Sequence, residues 1–147
     1  ARSLSQDYAD MVCLGTVADV MVLQGENRVF VSRGLESLRN TKRPGIAALM
    51  AESGCDPKTV SASSIGFMLA PRINAAGRMG QIELALNLFL TQDEEEAADL
   101  ARKLCDLNRQ RQAVESEIYD QAVSMLPKIL TQADNHVLFG LSFKKSV

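Results

Sequence analysis

Residues 8–23, YADMVCLGTVADVMVL, are almost continuously apolar, with Asp10 and Asp19 embedded in the run. Such density predicts a buried helix over the whole stretch, with the two acids as its anomaly. QGEN (24–27) reads as a turn, and RVFVSRGLESLRN (28–40) as a helix entered through a short extended segment. KRPG (42–45) breaks the pattern before a helix over IAALMAES, which Gly54 terminates. Asp56 and Pro57 are suited to the cap and first position of a short helix, or to a loop leading to a helix that starts near Ser61. SIGFMLA (64–70) is a compact apolar helix expected to stop at Pro71, and IELALNLFLT (82–91) is apolar enough for a core helix.

The clearest local signal lies at TQDE (91–94), a capping box in which Thr91 accepts from a backbone N–H and Glu94 reaches back. The acids from Asp93 to Glu96 then sit where the helix dipole favours negative charge. Apolar positions recur at Ala97, Leu100, Leu104, Leu107, Val114, Ile118 and Met125, interrupted at Arg111 and Gln121, as far as Pro127. About 35 residues make a rod of roughly 50 Å. A coiled-coil dimer and a helix bridging two domains both account for that length, and the broken stripe weakens the first. Beyond Pro127, HVLFGLSF (136–143) looks like one strand, which cannot stand alone. The chain opens on Ala and ends on FGLSFKKSV without a stop signal, so it is expected to be a piece of something longer.

Composition narrows the function classes. With 46% apolar and 23% charged residues, the 147-residue chain has the make-up of a globular protein and not of a disordered one. No apolar run is long enough for a membrane helix, and the first residues do not resemble a signal peptide. The net charge of −2 hides an asymmetry. Residues 28–43 carry Arg28, Arg33, Arg39, Lys42 and Arg43 against Glu36 alone. This segment could meet phosphate, and a solvated helix face with a basic turn accounts for it equally well. Cys13, Cys55 and Cys105 form no CxxC, and the single His136 is distant from them. They read as small buried residues in a reducing cytoplasm, and a catalytic pair with His136 is not expected.

No P-loop, GxSxG, HExxH or GxGxxG pattern is present. Two features remain. A carboxylate in so apolar a run needs a hydrogen bond, a basic partner or a metal ion. Asp10 and Asp19 are nine residues apart and cannot both be assumed to face one ion, and the sequence supplies too few oxygen ligands for a metal site of its own. The second feature is APRINAAGR (70–78). Arg72 and Arg78 offer planar forks that match phosphate oxygens, Asn74 offers donor and acceptor, and Ala75, Ala76 and Gly77 permit close approach. A tight helix crossing, with the arginines paired to acids, explains the same residues.

The order and spacing of LGTVADVMVLQGENRVFVSRGLESLRNTKRPGIAALM, IGFMLAPRINAAGRMG and LARKLCDLNRQRQAVESEI resemble the RecJ family of the DHH phosphoesterase superfamily, over residues of about 8 to 120. The resemblance implies a metal-dependent 5′→3′ exonuclease of single-stranded DNA, serving repair and recombination. It makes Asp19 of GTVAD the expected ligand of a Mn²⁺ or Mg²⁺ site, with Asp10 second. It also makes Arg72, Asn74 and Arg78 the expected strand or phosphate contacts. The expected architecture is mainly α: residues 1–90 as the C-terminal helical part of a DHH-type α/β catalytic domain, 91–127 as a long connector helix, and 128–147 as the start of a second, DHHA1 domain entered through the stray strand. The Asp-His-His motif and the glycine-rich GGH motif are not in the sequence, so the isolated chain is expected to be inactive and its partners to include the missing DHH and DHHA1 portions. Two other functions compete: a helical interaction module, and a DHH-family phosphodiesterase acting on short oligonucleotides or cyclic dinucleotides.

Overall fold

The computed structural model describes residues 7–130, with side chains described as far as residue 125. Within it the chain is helical: α1 (Ala9–Ala18), α2 (Gly25–Arg39), α3 (Pro44–Ser53), a 3₁₀ turn (Pro57–Thr59), α4 (Ala62–Ser64), a π turn (Ile65–Leu69), α5 (Ala70–Arg78), α6 (Ile82–Leu90) and α7 (Glu94–Leu130). No strand occurs among the described residues; the expected strand at 136–143, and His136 with it, lie outside them.

Helices α1 and α2 form a pair, while α3, α5 and α6 pack on the N-terminal half of α7. Two glycines allow the closest approaches. A methyl group on Gly34 would stand 2.1 Å from Cys13 Cβ, and one on Gly45 would stand 1.7 Å from the Leu88 carbonyl oxygen. The core between the layers is aliphatic, with Leu38, Ile46, Leu49, Ile65, Leu88 and Leu104 fully buried. Along α7 the predicted stripe is buried only at Ala97, Leu100, Leu104 and Leu107. Beyond Asn108 no residue through 125 is buried.

Several predicted boundaries move. The apolar run at 8–23 is not one helix: α1 ends at Ala18, and Val20, Met21, Val22 and Leu23 are exposed. Its end is set by two backbone bonds, Val20 N–H to the Val17 carbonyl at 3.0 Å and Met21 N–H to the Thr16 carbonyl at 3.1 Å, which require a left-handed residue at Val20 (φ 54°). The predicted turn at 24–27 is already helical from Gly25. Pro71 does not stop a helix. The preceding turn is widened so that the Ala70 N–H reaches the Ile65 carbonyl, and Pro71 falls in the first turn of α5. A proline lacks an N–H and crowds the carbonyl four residues back, and a π turn at that point relieves both problems. APRINAAGR is therefore itself a helix.

The N-terminal cap of α7 is also shifted. Asp93 accepts from the Glu96 N–H at 2.7 Å, while Thr91 accepts from the Asp93 N–H at 3.2 Å and donates to the Glu96 carboxylate. Asp93 precedes the helix and holds its third residue, so it takes the role expected of Thr91. At the other end α7 does not stop at Pro127 but continues to Leu130. Other predicted features are in place: Gly54 ends α3 with φ 72°, Asp56 caps the 3₁₀ turn, and a helix starts after Ser61, which forms a capping box with Ser64 that the sequence reading did not include.

Candidate site at the end of the first helix

The two acids of the apolar run have different fates. Asp10 is 4% exposed and is fully occupied. Its Oδ2 accepts from Arg43 Nε at 3.0 Å and its Oδ1 from the Met11 N–H at 2.8 Å. Arg43 also donates to the Asp7 carbonyl, and its guanidinium lies 5.2 Å from the centre of the Tyr8 ring. A buried carboxylate stripped of such a cation costs about 3–5 kcal/mol, so Asp10, the second choice to Asp19 as a ligand, ties α1 to the start of α3. Asp19 is exposed at the C-cap of α1, where its N–H bonds the Gly15 carbonyl, and its carboxylate has no ion pair among the described residues.

The residues flanking Asp19, Ala18 and Val20, line a groove of about 250 Å³ together with Asn74, Arg78 and Arg111. Asn74 and Arg78 are one helical turn apart on α5 and both are exposed. They also border a second hollow of about 380 Å³ with Gly77 and Ile82, so they form the ridge between two depressions. Gly77 has open space where a side chain would project, whereas Ala75 and Ala76 are fully buried. The small residues thus divide: two serve packing within the chain and one faces outward.

Arg72 points elsewhere. Its Nε donates to Cys105 Sγ at 3.1 Å and its guanidinium to the Met68 carbonyl, which fastens α5 to α7. The three sequence-predicted contact residues are therefore not together: Asn74 and Arg78 share the groove with the end of α1, and Arg72 is part of the packing. Arg111 is an additional cation at the groove. It is held by Asn108 Oδ1 at 3.3 Å and paired with Glu115. Its interruption of the apolar stripe was the signal for it.

Among the described residues no group of three or more His, Cys, Asp or Glu side chains could hold a metal ion. Asp19 fits such an ion as a single hard oxygen donor, in the open and beside a helix C-terminus whose dipole favours cations. It is not a whole site.

Fold and groove define an all-helical segment that presents a cation-rimmed groove beside a carboxylate with no ion pair among the described residues. Over most of its length the chain is similar to RecJ. It is 39% identical over 123 residues to the single-stranded-DNA-specific exonuclease RecJ of Bacillus subtilis, covering 84% of this chain and 16% of that protein. It is 41% identical over 128 residues to the Thermus thermophilus RecJ, covering 87% and 18%. Crystal structures of RecJ with Mg²⁺ and with Mn²⁺ from Thermus thermophilus each match 88% of the chain with a TM-score of 0.71 at 40% identity, and cover 19% and 18% of those chains. The chain spans 16% to 24% of the length of the curated relatives it matches. No family model matches it.

Proposed function

We propose that this chain is the helical part of a metal-dependent 5′→3′ exonuclease that hydrolyses single-stranded DNA, serving repair and recombination in the cytoplasm. The observation that carries the reading is the meeting of the α1 end, where Asp19 stands, with Asn74 and Arg78 across one groove in a chain similar to RecJ over most of its length. In this reading Asp19 is one ligand of a Mg²⁺ or Mn²⁺ ion whose other ligands lie outside the described residues. Such an ion supplies Lewis acidity and an activated water to phosphodiester hydrolysis. Asn74 and Arg78 hold the strand against the groove, Arg78 by a charged contact to phosphate. Arg72 serves binding indirectly, by holding α5 in place on α7.

Residues 1–90 then belong to the DHH catalytic domain, 91–127 to the connector helix, and 128–147 to the start of a DHHA1 domain. The buried free cysteines Cys13, Cys55 and Cys105 suit a reducing compartment, and no described helix is long and apolar enough to cross a membrane.

The test uses the longer protein that carries this segment. Asp19→Ala should abolish cleavage and leave strand binding nearly intact. Arg78→Ala should weaken binding and lower the slope of log affinity against log salt by about one, so that the defect narrows as salt rises. Arg72→Ala should instead lower the unfolding midpoint of the chain itself. Cleavage that survives Asp19→Ala would remove the metal reading, and the isolated chain is expected to show no nuclease activity with Mn²⁺.

A further inference from the structure

Among the described residues three helices end in the same pair of backbone bonds, and one of them does so with the wrong residue. After α3, the Gly54 N–H bonds the Ala51 carbonyl at 3.1 Å and the Cys55 N–H bonds the Met50 carbonyl at 2.8 Å. After α5, the Gly80 N–H bonds Gly77 at 3.4 Å and the Gln81 N–H bonds Ala76 at 2.8 Å. After α1, the same two bonds run from Val20 to Val17 and from Met21 to Thr16. This cap requires a left-handed residue at its turning point. The φ values there are 72° at Gly54, 68° at Gly80 and 54° at Val20.

Glycine adopts that conformation freely, whereas for a β-branched residue it is an outlier. Val20 is also 87% exposed, so no packing among the described residues offsets the strain. It directly follows Asp19 and lines the groove with Asn74, Arg78 and Arg111. Strain kept without local compensation gathers at sites where geometry matters more than stability.

We infer that Val20 is a positioning residue for Asp19. The capping bonds demand a positive φ, and within that region valine has one small well whereas glycine has a broad basin. With valine, the chain therefore leaves α1 in a single direction and the Asp19 backbone is fixed by the turn that follows it. With glycine, the same bonds tolerate a range of angles, and the cap is more stable but Asp19 is less well held. The inference rests on the reading of Asp19 as a metal ligand, but its first test does not.

In the chain itself, Val20→Gly should raise the thermal midpoint by about 3 °C, as removal of backbone strain does. At the same time the backbone amide order parameter of Asp19 should fall from about 0.85 toward about 0.6. Val20→Ile keeps the β-branch and should leave both unchanged. In the longer protein, Val20→Gly should raise the Mn²⁺ concentration for half-maximal cleavage about tenfold, the scale on which ligand-orienting residues act, whereas Val20→Ile should leave it unchanged. A raised midpoint with unchanged Asp19 order and unchanged Mn²⁺ demand would overturn the inference, showing a strain merely tolerated. So would a lowered midpoint, since the strain itself would then be absent. Cleavage insensitive to Asp19→Ala overturns the underlying metal reading instead, and leaves the midpoint and order measurements to decide the positioning role.

Discussion

Cys13 shows how much of this fold depends on one small neutral side chain. It is fully buried beneath α2, and its thiol donates to the Val31 carbonyl with a Sγ to oxygen distance of 3.6 Å. Burial, with the nearby Asp10 charge adding to it, pushes the thiol from an ordinary 9.0 up to about 11. The folded state therefore holds a proton that the unfolded chain releases earlier. The resulting stability is fully present below about pH 9 and is lost as pH rises toward about 11. It amounts to roughly 3 kcal/mol. Burial raises Cys55 as well, so it acts in the same sense. Urea midpoints measured from pH 8 to 11 should fall through this window, and Cys13→Ala should flatten the fall. An equal fall in Cys13→Ala would assign the alkaline loss to other groups. The sequence made the burial of all three cysteines legible from composition and spacing alone. It did not reveal that Cys105 would accept a hydrogen bond from Arg72, because that contact joins residues 33 positions apart.

At the scale of the element, glycines that look alike in the sequence do opposite work. Gly45 lies where α3 meets α6 so closely that an added methyl would collide with the Leu88 backbone. Gly77 is helical and faces open space. Gly45→Ala should thus destabilise the chain by about 2–3 kcal/mol through overpacking against an atom that cannot swing away. Gly77→Ala should stabilise it by up to about 1 kcal/mol, since alanine is the better helix former. Denaturation midpoints moving in opposite directions confirm the assignment, and a loss at Gly77 would mean that its outward face is packed. The sequence could not separate these roles, because both depend on what lies opposite. It did contain the means to sort the arginines. Once APRINAAGR is read as a helix, residues two apart fall on nearly opposite sides and residues four apart on the same side. That divides Arg72 from Asn74 and Arg78, which is the division the structure has. The misreading came from Pro71, whose rule as a helix stop was overridden by a π turn that no local signal announced. Similarly, a run as uniformly apolar as 8–23 carries no mark of where its helix ends, so the end came from the capping geometry at Val20.

For the molecule as a whole, the decisive asymmetry is along α7. Its first part, from Ala97 to Leu107, closes the core against α3, α5 and α6, and a long rod with a mixed stripe was readable from the spacing. The stripe could not show that only this half would be covered. Past Asn108, Arg111, Val114, Ile118 and Ala122 lie half-buried along one side, while Tyr119, Val123 and Met125 are exposed. Local support there consists of pairs one turn apart, Arg111 with Glu115 and Gln121 with Glu117. Each such pair contributes about 0.2–0.5 kcal/mol, too little to hold a helix that has no packed face. Amide hydrogen exchange should therefore be slow from Ala97 to Leu107 and fast from about residue 112 onward in the chain alone. If α7 is a connector, the longer protein should slow exchange at Val114, Ile118 and Ala122 by giving that side a neighbour. Equally fast exchange there in both proteins would leave the distal helix without a covered face and remove the connector reading. Slow exchange already present in the chain alone, rising with concentration, would instead favour self-pairing along that side.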